Sequence, residues 1–178
     1  MESVQIKINY IIDGDTFIGS SNGQRNYYRA RWIDSPETRK KNSKIPVIPE
    51  NTTHWLWAER ARIYLAKLFN TCPNWTVTVV SEKLDSYQRV ISDWYIGEPR
   101  LENNIQIMMC DAGMTANSLP FQQYFFPNND LDLYIEILKA SATACKTQTG
   151  FWSEPNFILP YEFKRKYKEL EELSELKA

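Results

Sequence analysis

The sequence is poor in the residues that many catalytic devices require. A single histidine, His54, stands among 178 residues. Any Ser-His-Asp or Cys-His device must pass through it, and a multi-histidine metal site is excluded. Cysteine is scarce as well. Cys72, Cys110 and Cys145 are widely spaced and form no CxxC pair, which argues against structural zinc and leaves three buried, reduced thiols as the expectation. No stretch approaches the roughly 20 apolar residues of a membrane span. The opening residues, MESVQIKINY, show no basic segment followed by an apolar run. No signal peptide is therefore visible, and the chain reads as cytoplasmic as written, or secreted if a leader has been removed. An excess of positive charge is also missing, since the formal net charge is −1. Binding to a polyanion would have to rest on local cation clusters. Acid–base chemistry then falls to carboxylates, and any metal to a hard, oxygen-bound ion.

What is present reads as one α+β domain. Residues 3–12 are rich in β-branched and aromatic types and partly alternate, as a strand does. Asp13-Gly14-Asp15 punctuates them, Phe17 and Ile18 continue into a second strand, and Asn22-Gly23 signals a hairpin. A third strand is expected over 25–33, with Tyr27, Arg29 and Arg31 on one face and Tyr28, Ala30 and Trp32 on the other. Residues 34–51 form a long loop with three prolines and the cations Arg39, Lys40, Lys41 and Lys44. A helix follows over about 52–69, capped by Asn51 or Thr52. Strands are expected at 75–80 and 89–96, and helices at 101–112, about 130–147 and about 161–177. Asn128 or Asn129 would start the helix at about 130–147, and Gly113 would close that at 101–112. The layout fits a five-stranded Greek-key barrel, the OB-fold, with about three packed helices. Residues 1–158 would form the barrel domain, and 159–178 a C-terminal helix appended to it.

The chemistry-bearing residues sit in three segments. Residues 11–17 (IIDGDTF) hold Asp13 and Asp15, residues 27–38 hold Arg29, Asp34, Ser35 and Glu37, and residues 84–90 (LDSYQRV) hold Arg89. A phosphodiester is anionic and repels a nucleophile; a divalent cation neutralises it and lowers the pKa of a bound water. Ca²⁺ takes six to eight oxygens. Asp15, Asp34 and the Ser35 carbonyl suit direct ligation, Asp13 ligation through a water, and Glu37 the role of general base. Arg29 and Arg89 offer planar forks of donors to phosphoryl oxygens. Each segment alone has a plainer reading: Asp13-Gly14-Asp15-Thr16 as an Asx turn, Asp34 as a cap, the arginines as solvated ion pairs. The ordered combination favours the chemical reading.

That combination resembles the staphylococcal nuclease family over roughly residues 5–155. The first motif is Ile12-Asp13-Gly14-Asp15-Thr16-Phe17. The second is Arg29 followed by Asp34-Ser35-Pro36-Glu37. The third is Asp85-Ser86-Tyr87-Gln88-Arg89, with a weaker echo at Gly150-Phe151-Trp152-Ser153-Glu154. The resemblance implies a Ca²⁺-dependent endo- or exonuclease cutting DNA and RNA with little sequence preference and leaving 3′-phosphate and 5′-hydroxyl ends. It implies Asp15, Asp34 and the Ser35 carbonyl on the metal, Asp13 behind a water, Glu37 as base, Arg29 and Arg89 on the phosphate, and Tyr87 near the nucleotide. Lys40 and Lys41 of the basic loop are expected to add nucleic-acid contacts, single strands are the expected substrate, and a monomer the expected state. Gln88 stands where the family motif has glycine, so it must adopt a backbone geometry that favours glycine. Tyr124, Phe125 and Phe126 are candidates for base stacking, or core aromatics. Two other functions compete: an OB-type module that binds strands without cutting them, and a protein-interaction domain using the acidic C-terminal helix, for which solvated packing is the plainer account.

Overall fold

The computed structural model describes residues 3–119 and 131–175. Five strands close a barrel: β1 (Ser3–Ile11), β2 (Thr16–Ser21), β3 (Gln24–Ala30), β5 (Thr76–Leu84) and β6 (Val90–Tyr95), in the order β1-β2-β3-β6-β5. Every neighbouring pair is antiparallel except β3 and β6, which run parallel. A separate short pair joins β4 (Ile33–Asp34) to β7 (Ala116–Asn117). Four helices are present among the described residues: α1 (Pro49–Asn70), α2 (Ile105–Asp111), α3 (Leu131–Lys146) and α4 (Pro160–Glu175). The α+β barrel expected from the sequence is the observed fold. No helix among the described residues is long and apolar enough to cross a membrane.

Local sequence explains the barrel. In β1 the buried residues are Ile6, Ile8 and Ile11, which breaks strict alternation. The register shifts between Ile8 and Tyr10, so Asn9 is the extra residue of a bulge that returns Ile11 to the inner face. Asn22 and Gly23 both take positive φ, 50° and 78°, and join β2 to β3 by a two-residue hairpin turn. Phe17 fills the barrel centre, stacked on Tyr28 at 5.0 Å and edge-on to Trp94 at 4.8 Å.

Several local expectations are corrected. The third strand ends at Ala30, not at residue 33. Trp32 takes φ +67°, which breaks the extended run, and both Arg31 and Trp32 are buried. The Arg31 guanidinium is neutralised by Asp93 of β6, with Nε donating to Oδ1 at 3.0 Å, and Gln106 Nε2 donates to the same oxygen at 2.9 Å. Helix α1 begins at Pro49 without a side-chain cap, because proline at the first position needs no N–H partner. Asn51 instead lies buried in the first turn, and its Nδ2 donates to the Pro46 carbonyl. Residues 101–103 form a 3-10 turn, and α2 starts only after Asn104, whose Oδ1 accepts the Ile107 N–H. Cys72 and Cys110 are buried thiols as expected; Cys145 is exposed, on the outer side of the last turn of α3. Asn128, Asn129, Tyr124, Phe125 and Phe126 lie outside the described residues.

Candidate active site

The turn between β1 and β2 carries Asp13, Gly14 and Asp15. A Cβ on Gly14 would lie 2.4 Å from Ser35 Oγ and 2.8 Å from Ala61 Cβ. Glycine is thus required by close approach: it lets the turn sit against Ser35 and against α1. Asp13 Oδ1 accepts the Asp15 N–H at 3.0 Å, so the Asx turn read from the sequence is real and also shapes the site. Asp15 is buried, with Oδ2 accepting the Ser35 N–H at 2.6 Å and Oδ1 accepting Thr16 Oγ1 at 2.9 Å.

Arg29 projects from the end of β3. Its Nη2 lies 3.1 Å from Asp15 Oδ2 and 3.1 Å from Asp34 Oδ1, and its Nη1 donates to the Ala30 carbonyl at 2.8 Å. The two carboxylates, 19 residues apart in sequence, therefore converge on one guanidinium nitrogen. Burial pushes Asp15 up, but Arg29, Lys164 and the Ser35 N–H outweigh it and hold the carboxyl below its ordinary range. Asp13 goes the other way. Burial and the neighbouring Asp15 charge push it well above the usual carboxylate value. Glu37 is also raised, by burial first and by Asp15 and Asp34 after it, against the opposing pull of Lys164.

Two contributors to this centre were not found by sequence reasoning. Lys164 of α4 reaches across the site, with Nζ 2.6 Å from Asp34 Oδ1 and 2.9 Å from Glu37 Oε1. Its signal was present as the cationic spacing Lys164, Arg165, Lys168 on one helix face, hidden because the cations and acids of α4 nearly cancel along its length. His54 of α1 is the other. Its Nε2 accepts the Glu37 N–H at 2.9 Å, and its Nδ1 lies 3.2 Å from the Ile158 carbonyl. A carbonyl only accepts, so the neutral tautomer with hydrogen on Nδ1 is fixed from both sides. The ring stacks on Phe163 of α4 at 3.7 Å, and burial holds its pKa at about 4. His54 thus pins the Glu37 backbone and α4 to the same point.

An open cleft of about 880 Å³ runs over these groups. Asp13, Asp15, Arg29 and Glu37 line its floor side, with Tyr27, Lys40, Tyr87 and Arg89 from the barrel and its loop, and Tyr161, Lys164, Arg165 and Lys168 from α4. Six cations thus face three carboxylates in a chain of net charge −1. Lys41 is exposed and does not line the cleft, although its neighbour Lys40 does. Arg89 is engaged by Asp85, with Nε donating to Oδ2 at 2.8 Å, and its guanidinium lies 5.3 Å from the Tyr87 ring centre. Tyr87 is 79 % exposed. Gln88 takes φ +61°, the left-handed conformation its position demands, and the turn closes by Gln88 N–H donation to the Asp85 carbonyl at 3.0 Å.

The oxygen-only donor set suits a hard divalent cation in kind, and the convergence of Asp15 and Asp34 on one point suits it in placement. Among the described residues no group of three or more His, Cys, Asp or Glu side chains is spaced to hold a metal. Asp15 and Asp34 would therefore need carbonyl, water or phosphate oxygens to complete a shell, and in this arrangement the Lys164 ammonium takes one of the Asp34 oxygens.

No curated protein matches the chain. A family model described as staphylococcal nuclease homologue matches residues 28–154, which include Arg29, Asp34, Ser35, Glu37 and Arg89. The first acidic turn and α4 lie outside that span, and the fold brings both to the matched residues. Members of the family are nucleases or nucleic-acid-binding modules and typically depend on a metal. With a match over most of its length, the chain belongs to the staphylococcal nuclease homologues.

Proposed function

We propose that the protein is a Ca²⁺-dependent phosphodiesterase that cuts DNA and RNA with low sequence specificity, preferring single strands and acting as a monomer. The observation that carries this reading is the convergence of Asp15 and Asp34 on Arg29, 3.1 Å from each, with Asp15 and Arg29 lining a cleft that also holds Glu37 and Arg89. Asp15, Asp34 and the Ser35 carbonyl would hold the ion, with Asp13 behind a water. When bound, the ion would neutralise the phosphodiester and acidify an attacking water. Glu37 would take the proton of that water, and its raised pKa makes it a stronger base than an exposed glutamate. Arg29 and Arg89 would turn their donors to phosphoryl oxygens where charge accumulates. A water oxygen joins phosphorus as the bond from phosphorus to the 5′ oxygen breaks, and the leaving oxygen gains a proton. The products are a 3′-phosphate and a 5′-hydroxyl.

One observation favours the second reading, a binding module without turnover: Lys164 already occupies oxygens of Asp34 and Glu37. The deciding assay is hydrolysis of denatured DNA and of RNA with calcium and with chelator. Cleavage should require calcium, and Glu37→Gln should lower turnover by at least about 10²-fold with an unchanged melting temperature. A folded protein that binds oligonucleotides yet never cleaves them with calcium present would establish the binding module instead.

A further inference from the structure

Helix α4 lies beyond the residues shared with the family, and it supplies one wall of the cleft. Its two faces do different work. Phe163 and Tyr167 are buried with Ile45, and Leu170 and Trp55 pack against the same cluster, while Phe163 also stacks on His54. Tyr161, Lys164, Arg165 and Lys168 recur at the i, i+3, i+4, i+7 spacing of one helical face, and all four line the cleft. The anchored face fixes the rotation of the helix. Its cations cannot be turned away without exposing two aromatic rings. Tyr161 is 51 % exposed, and the Arg165 guanidinium lies 6.0 Å from its ring centre.

We propose that this face of α4 is a phosphate-gripping wall for single-stranded nucleic acid, holding the strand beside the scissile bond through Arg165 and Lys168 and stacking a base on Tyr161. The inference rests on the function proposed above and adds to it the surface that holds the flanking strand. Arg165 and Lys168 stand nearly one helical turn apart, about 4.5 Å along the axis, and their long side chains can splay to reach neighbouring phosphates of one strand. Exposed Tyr27 and Tyr87, which line the same cleft, give a sequence-tolerant partner surface for bases. A backbone grip of this kind has no base-edge readout, so it binds all sequences alike. It also resolves the charge problem, since affinity for a polyanion follows the local field and not the net charge of −1.

The test is fluorescence anisotropy of labelled 12-nucleotide single strands of several sequences, with chelator present so that nothing is cut, across a range of salt. Arg165→Ala/Lys168→Ala is compared with wild type and with Lys67→Ala/Lys146→Ala, which removes equal charge from α1 and α3 away from the cleft. The α4 variant should bind on the order of tenfold more weakly for every sequence near 0.1 M salt. The slope of log affinity against log salt should fall by about 1.4, two contacts at about 0.7 each. Tyr161→Ala should lose affinity several-fold with the slope unchanged. Melting temperatures check that the fold is retained. A wild-type protein that cleaves and binds strands, with an α4 variant indistinguishable from the α1/α3 control, overturns the inference and leaves the proposed function standing. A wild-type protein that neither binds nor cleaves overturns both.

Discussion

His54 gives the sharpest quantitative consequence of the structure. The ring is fully buried, accepts the Glu37 N–H, donates to Ile158 and is stacked on Phe163. Protonation would place a second N–H against the Glu37 N–H and put a charge among aromatic rings, and the pKa is accordingly held at about 4, below the ordinary 6.5. A group whose folded pKa is depressed in this way binds its proton more readily in the unfolded chain. Stability is therefore complete above about pH 6.5 and is lost as pH falls toward 4. At 1.36 kcal/mol per pKa unit, the loss attributable to His54 is about 3 kcal/mol by pH 4. For a chain of this size that is a fall in Tm of roughly 6–12 °C. The assay is thermal or urea unfolding of wild type and His54→Gln from pH 7 to pH 4. Glutamine keeps an acceptor and a donor but does not titrate, so the variant should be less stable at pH 7 and flatter below it. Asp13 and Glu37, whose raised pKa values favour the folded state as pH falls, act in both proteins and largely cancel in the difference. Parallel stability curves for the two proteins across this window would refute the argument.

Two further predictions concern other buried charges. Arg31→Met should cost about 3–5 kcal/mol in urea unfolding, because Asp93 is left 2 % exposed without the guanidinium that neutralises it. Arg31→Met/Asp93→Leu should recover part of that loss, and a single variant within 1 kcal/mol of wild type, a bound far below the usual cost, would contradict the assignment. Lys164→Met should raise calcium affinity, read by calorimetry without substrate, by about three- to tenfold, or roughly 0.6–1.4 kcal/mol. The cause is removal of a cation that competes for the Asp34 oxygens through a side chain 39 % exposed and partly screened by solvent. Unchanged or weaker calcium binding would show that the ammonium and the ion do not share those oxygens.

The barrel was legible because strand alternation and turn chemistry are local. Ile6 and Ile8, the Asn22-Gly23 turn and the strand expected at 75–80, which the structure extends to Leu84, each carry their own signal, and pairing follows from burying one face. The clustering of Asp13, Asp15 and Arg29 was legible for a related reason, since β2 pairs with β3 through Thr16 and Arg29, and Asp34 and Glu37 follow β3 by a short connection that the Ser35 N–H ties to Asp15. Local rules failed where a neighbour far away in sequence decides. Nothing near residue 31 announces that Arg31 will be buried against Asp93, 62 residues on. Nothing near residue 164 announces that docking Phe163 on His54 will aim Lys164 at Asp34, 130 residues back. The segment's cations and acids nearly cancel, so its average charge said nothing, because averaging over a helix discards which face each charge occupies. The same loss of information made net charge misleading for the whole chain. Charges on the outer surface are screened within about 10 Å in ordinary salt, whereas cations lining one cleft act together on a ligand inside it. The attraction felt by a strand is set by six cations against three carboxylates in the cleft, an arrangement visible only after α4 has docked on His54 with Lys164 at Asp34 and Glu37.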